Sequence, residues 1–116
     1  MELFNSIQEV VQDLANGRLV VVVDDEDREN EGDLVMAAAC VKPEHINFMA
    51  KHGRGLICVP MEEERLSQLD LQPMLTGRGQ KGAEDRFATA WMISVDAAHG
   101  TTTGISAFDR SHTIGV

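Results

Sequence analysis

The chain has 116 residues, 43% of them hydrophobic, and its 19 acidic against 10 basic side chains give a formal net charge of −9. That length suits one domain at most, and the apolar share is enough for a core, which argues against disorder. The acidic excess argues against a nucleic-acid surface, although Arg and Lys can still cluster locally around an anionic substrate.

The opening Met1-Glu2-Leu3-Phe4 lacks the positive start and apolar core of a signal peptide. Ser6-Ile7-Gln8-Glu9 spells a capping box, in which the serine hydroxyl meets free helix amides and the glutamate reaches back. Ile7, Val10, Val11 and Leu14 fall on one face of the helix that follows, and the spacing predicts its end at Asn16 with Gly17 just past it. Leu19 to Val23 is a continuous β-branched run that predicts a strand buried on both faces.

An acidic stretch follows, Asp24 to Asp33, and then a second predicted strand over Asp33 to Ala39, with Gly32 allowing the tight entry. The apolar run that contains it, Leu34 to Val41, is far too short to span a bilayer. Lys42-Pro43 opens a second helix, with Ile46, Met49 and Ala50 inward and a stop near Gly53. Gly55 to Pro60 reads as a third strand and Glu62 to Leu69 as a third helix. Cys40 and Cys58 stand alone, without a CxxC, so neither a disulfide framework nor a zinc site is expected.

Residues 71 to 86 read as a long loop in which Gly77, Gly79 and Gly82 alternate with Arg78, Lys81 and Arg86. Such a loop is either mobile surface or a cradle for phosphate. Phe87 to Val95 reads as a fourth strand with Trp91 in the core, Gly100 to Gly104 as a Thr-rich turn, and Ser106 as the N-cap of a last helix, with Asp109 three residues on. The order is αββαβα and then βα: an α/β chain, a mixed sheet with helices packed on it. The chain reads as soluble and cytoplasmic, with neither a membrane nor a nucleic-acid partner.

The acidic stretch organises this pattern. Asp24-Asp25-Glu26-Asp27-Arg28-Glu29-Asn30-Glu31-Gly32-Asp33 carries seven carboxylates and one guanidinium, a local charge of about −6 by that count, between two core-like runs. One reading is a solvated acidic turn. The other is a site for a hard divalent cation and a polyol, since magnesium takes one or two carboxylates and fills the rest with water or substrate. A calcium EF-hand fails: counted from Asp25, Asn30 stands at the glycine position and Met36 at the glutamate position.

This ten-residue string after a Val-rich run resembles the signature of the 3,4-dihydroxy-2-butanone 4-phosphate synthase family. Three further stretches agree in family order: His52 to Pro60 (His-Gly-Arg-Gly-Leu-Ile-Cys-Val-Pro), Leu69 to Met74 (Leu-Asp-Leu-Gln-Pro-Met), and Thr102 to Arg110 (Thr-Thr-Gly-Ile-Ser-Ala-Phe-Asp-Arg). The resemblance runs from about Gly17 to the last residue. It departs at Arg54, where the family usually has Ser or Thr, and at 71 to 86, where the family's link is shorter.

The resemblance implies the riboflavin-pathway conversion of D-ribulose 5-phosphate to 3,4-dihydroxy-2-butanone 4-phosphate and formate, a magnesium- or manganese-dependent carbon–carbon lyase acting as a cytoplasmic homodimer. By resemblance, Glu29 is a metal ligand; Arg28, Glu29 and Asp33 contact substrate; Glu31 shuttles protons; and Cys58 falls near the active site. Read from the residues alone, a strand cysteine is more often a small core residue. Thr102 and Thr103 offer hydroxyls to substrate oxygens or simply build the turn. Asp109 and Arg110 either pair with each other or border the site. His45, His52, His99 and His112 show no metal-ligand spacing, and His45 and His99 read as surface residues.

The family's later Arg-Pro-Gly-His and Gly-His-Thr-Glu stretches have no counterpart in residues 1–116, so these residues correspond to the N-terminal part of a single, here incomplete, domain of that family. The expectation is that this chain alone is inactive. The alternatives are a synthase-derived module that binds divalent cations or sugar phosphate without turnover, or an interaction protein.

Overall fold

The computed structural model describes residues 3–74 and 89–116. Helix α1 covers Ile7–Ala15. Its capping box is closed: the Ser6 hydroxyl accepts from the Glu9 amide at 3.3 Å, and Glu9 Oε2 accepts from the Ser6 amide at 2.8 Å. At the other end Gly17 takes a positive φ of 72°. The Gly17 amide bonds Leu14 O, and the Arg18 amide bonds Asp13 O. This paired pattern satisfies the last free carbonyls of a helix and is cheapest with glycine.

Strand β1, Val20–Val23, pairs antiparallel with β2, Gly32–Val35, in the register Val20 opposite Val35 and Val23 opposite Gly32. The chain then makes a short 3-10 turn, Ala38–Cys40, where the sequence pattern predicted that the second strand would continue. Helix α2, Pro43–Phe48, starts with proline at its first turn and runs into a π-turn, Met49–Gly53. Arg54 stops it in the left-handed conformation, φ 61°. Helix α4, Ala107–Gly115, is capped by Ser106. Ile46 of α2 is fully buried and marks the core, where α2 and the 3-10 turn pack on α4 and the π-turn packs on β2. Of the other two residues expected inward, Met49 is half-buried and Ala50 is exposed. No helix among the described residues is long and apolar enough to cross a membrane.

Two compact units divide the chain, residues 3–59 with 96–116 and residues 60–95, of which 75–88 lie outside the description. In the second unit, helix α3 covers Glu63–Gln68. Pro73 bridges Met92 antiparallel, with the Met74 amide on Trp91 O and the Ile93 amide on Gln72 O, each 2.9 Å.

The α/β class stands, with the described sheet formed by β1 and β2 alone. Three local expectations are corrected. Residues 55–60 and the described part of 87–95 are not strands; the latter makes only the isolated bridge, because extended chain becomes a ladder only beside a paired neighbour. Strand β1 is not buried on both faces: Val21, Val22 and Val23 are exposed. A strand is covered twice only in a sheet with layers on both sides, and among the described residues α1 is the one helix against β1. Trp91 is 41% exposed rather than in the core. The glycine-and-basic segment proposed as a phosphate cradle lies outside the described residues from position 75 on.

Candidate functional site

A turn with seven carboxylates should repel itself unless something neutralises it. Here part of that repulsion is met internally. Asp24, directly after β1, turns its carboxylate back into the loop. Its Oδ2 accepts from the Glu29 amide at 3.0 Å and from Arg28 Nη1 at 2.9 Å, and its Oδ1 accepts from the Glu31 amide at 2.8 Å. The Asp24 amide in turn donates to Glu31 O at 3.3 Å, and the Arg28 amide to Asp25 O at 3.0 Å. Asn30 takes a positive φ of 53°, a conformation asparagine tolerates, and reverses the chain into β2.

Arg28 is the guanidinium of this loop. Its Nη2 lies 3.6 Å from Glu29 Oε1, and its side chain is 57% exposed against 26% for Glu29. The hydrogen bond to Asp24 raises the Arg28 pKa most, and the charge of Glu29 next; Asp33 on β2 adds to it. The Asp24 carboxyl is held below the ordinary range, chiefly by the Glu31 amide, then by the Glu29 amide and Arg28, against an opposing cost of desolvation. Arg28, Glu29, Glu31 and Asp33 thus come from one turn and the strand it enters, with Arg28 and Glu29 side by side. Asp25, Glu26 and Asp27 point to solvent.

The other candidates stand on separate segments. Cys58 is exposed, with its thiol 4.0 Å from Leu56 O. Thr102 donates both its amide and its hydroxyl to Asp109, and Thr103 is exposed. Asp109 is therefore engaged with the turn before α4, and of the two alternatives for Asp109 and Arg110 a mutual pairing is not seen; Arg110 Nε is buried without a hydrogen-bond partner among the described residues. The Asp109 carboxyl is lowered, first by the Thr102 hydroxyl, with the Thr102 and Gly104 amides adding to it. Of the histidines, His45 Nδ1 accepts from the Lys42 amide at 3.0 Å, His112 Nε2 donates to His99 O at 2.8 Å, and His52 lies against the Phe48 ring.

Sequence reasoning left Asp24 without an assignment. The signal available was an acid just past the Val-rich run with an arginine four residues on, but two of the bonds it makes reach five and seven residues ahead.

Among the described residues no group of three or more His, Cys, Asp or Glu side chains is arranged to hold a metal ion. Glu29, partly exposed and beside an arginine, fits the role of a single carboxylate ligand to a hydrated hard cation.

The pattern of the 3,4-dihydroxy-2-butanone 4-phosphate synthase family matches residues 8–116. The protein of that name from Pseudomonas aeruginosa is 52% identical over 110 residues, covering 95% of this chain and 29% of its own length. The one from Candida albicans is 49% identical over 111 residues, 96% of this chain and 52% of its own length. The riboflavin biosynthesis protein RibBA of Aquifex aeolicus is 56% identical over 113 residues, 96% of this chain and 27% of its own length. Among solved structures, a 3,4-dihydroxy-2-butanone 4-phosphate synthase in complex with two magnesium ions superposes with a TM-score of 0.87 at 47% identity, covering 97% of this chain and 50% of that one. The chain spans about half or less of the length of these relatives.

Proposed function

The chain belongs to the 3,4-dihydroxy-2-butanone 4-phosphate synthase family, and from that premise we propose that it carries the acidic-loop part of a cytoplasmic enzyme converting D-ribulose 5-phosphate to 3,4-dihydroxy-2-butanone 4-phosphate and formate. The observation that supports this most is the side-by-side placement of Arg28 and Glu29 on a turn whose remaining carboxylates point inward to its amides or out to solvent. A sugar phosphate needs a cation for its anionic oxygens and a carboxylate for metal or proton work, and one turn offers both.

In this reading Arg28 binds a phosphate or an oxygen of the substrate, Glu29 holds magnesium or manganese, and Asp33 contacts the sugar from β2. Glu31 takes the proton at the carbon beside the ketone. Magnesium, when bound, supplies Lewis-acid polarisation of neighbouring oxygens. Cys58, Thr102 and Thr103 border the substrate in the same reading. The engagement of the Thr102 hydroxyl with Asp109 at 2.7 Å makes that residue the least available of the three.

Association of two copies is part of the proposal, supported by the exposed Val21, Val22 and Val23 of β1. A clean monomer mass by light scattering at micromolar concentration would count against it. The reaction itself is tested by formate release from ribulose 5-phosphate at saturating magnesium. The chain is assayed alone and mixed with a separate polypeptide spanning the remaining length of a family member. Formate in the mixture alone supports the reading, formate from the chain by itself overturns the expectation that these residues need the rest of the domain, and formate in neither overturns the reading.

A further inference from the structure

We infer that Asp24 is the positioning residue of the acidic loop, fixing Arg28 and Glu29 from behind without itself meeting a ligand. The inference rests on the reading of Arg28 and Glu29 as ligand-facing groups, and it deepens that reading.

Both Asp24 oxygens are taken up inside the loop. Oδ2 carries the Glu29 amide and the Arg28 guanidinium, and Oδ1 carries the Glu31 amide. One side chain therefore sets the backbone at both ends of the Glu29–Glu31 segment and the direction of the arginine. Hydrogen bonds to an ionised acceptor are the strong ones, so this hold is firm for an exposed turn. It also meets two of the seven acids: Asp24 is held by Arg28 and two amides, and Glu29 lies beside the same guanidinium with its carboxylate 3.6 Å away, while Asp25, Glu26, Asp27, Glu31 and Asp33 are exposed.

Asparagine cannot reproduce this. It keeps one accepting oxygen and replaces the other with a donor, which would then face either the Glu31 amide or the Glu29 amide and Arg28. Asp27→Asn removes the same charge from an exposed acid of the same loop and serves as the matched control.

The experiment compares Asp24→Asn and Asp27→Asn with the unaltered chain by amide hydrogen exchange in the absence of ligand, and by calorimetric titration with ribulose 5-phosphate and magnesium. In Asp24→Asn, exchange at Glu29 and Glu31 should rise about tenfold, the change that losing one hydrogen bond of ordinary net strength produces. Amides of α4 should keep their rates, and affinity should fall about tenfold. Asp27→Asn should do neither. Equal exchange in the two variants overturns the inference, as does faster exchange with unchanged affinity. Should Asp24→Asn unfold, through-hydrogen-bond NMR couplings from the Glu29 and Glu31 amides to the Asp24 carboxylate decide the matter in the unaltered chain. Their absence overturns the inference. Failure of the unaltered chain to bind ribulose 5-phosphate speaks against the proposed function instead, and the exchange comparison then decides the role of Asp24.

Discussion

Thr102 gives both its amide and its hydroxyl to the Asp109 carboxylate, at 3.1 and 2.7 Å, and so ties the turn before α4 to the helix's own first turn. The Gly104 amide adds a further bond at 2.9 Å, and Ser106 Oγ accepts the Asp109 amide at 3.0 Å. Asp109 is buried, so its charge is met by these donors rather than by water. The conspicuous Thr-Thr-Gly-Ile-Ser-Ala-Phe-Asp string thus has a structural use, whatever it does toward substrate.

Thr102→Val keeps the shape of the side chain and removes the hydroxyl donor. A bond to a carboxylate is worth more than one between neutral groups, so thermal unfolding by circular dichroism should show a melting point lowered by a few degrees. Thr103→Val, at an exposed position, should leave it unchanged. Equal melting points for the two variants would contradict the assigned geometry.

Acid should expose the same bond. The Asp109 carboxyl titrates below its ordinary value, first because of the Thr102 hydroxyl. A group lowered on folding contributes stability that is complete above its unfolded pKa, about 3.9 for aspartate, and is lost as pH falls through the folded value. Asp24 and Glu9 are lowered too and act in the same direction. Asp109→Asn should therefore be less stable than the unaltered chain near neutrality, and the gap should narrow below about pH 4. Denaturant midpoints across that range check it; a gap that widens in acid would reverse the sign.

Gly104 is buried with φ 83°, and a Cβ there would collide with the Asp96 carboxylate. Gly104→Ala should cost at least about 1–2 kcal/mol from the left-handed backbone alone, and more from displacing Asp96. Gly115→Ala meets open space and should be nearly neutral. Similar unfolding midpoints for the two would show that the turn tolerates a side chain.

What the sequence showed was local. The Ser6–Glu9 box, Pro43 at its first turn, Gly17 past α1 and the Ser106 cap are interactions within about four residues, and each is in place. The family reading drawn from four short stretches agrees with the match over residues 8–116. Burial was not legible, because it depends on what lies across a face: Val21 to Val23 read as core and are exposed, and so does Trp91. The two aspartates that organise the turns escaped for the same reason, since Asp24 and Asp109 each reach partners up to seven residues away.

The loop's chemistry can be separated from its charge by one pair of substitutions, read in a family member's full-length context. Glu29→Gln keeps the shape of the side chain beside Arg28 and removes the carboxylate assigned to the metal. Asp27→Asn removes a charge two residues away that bonds nothing seen among the described side chains. If general electrostatics of the acidic loop were what mattered, the two should lose similar activity. If Glu29 holds the cation, formate release should fall by roughly 10²-fold or more in Glu29→Gln, the scale of one lost electrostatic contact at a reacting centre. Asp27→Asn should then stay within a few-fold of the unaltered enzyme. The magnesium concentration needed for half-maximal rate should rise in Glu29→Gln and stay put in Asp27→Asn, because only the former loses a ligand. A fall in rate with no change in magnesium requirement would move Glu29 from the metal to proton transfer, and equal losses in the two variants would remove the assignment altogether.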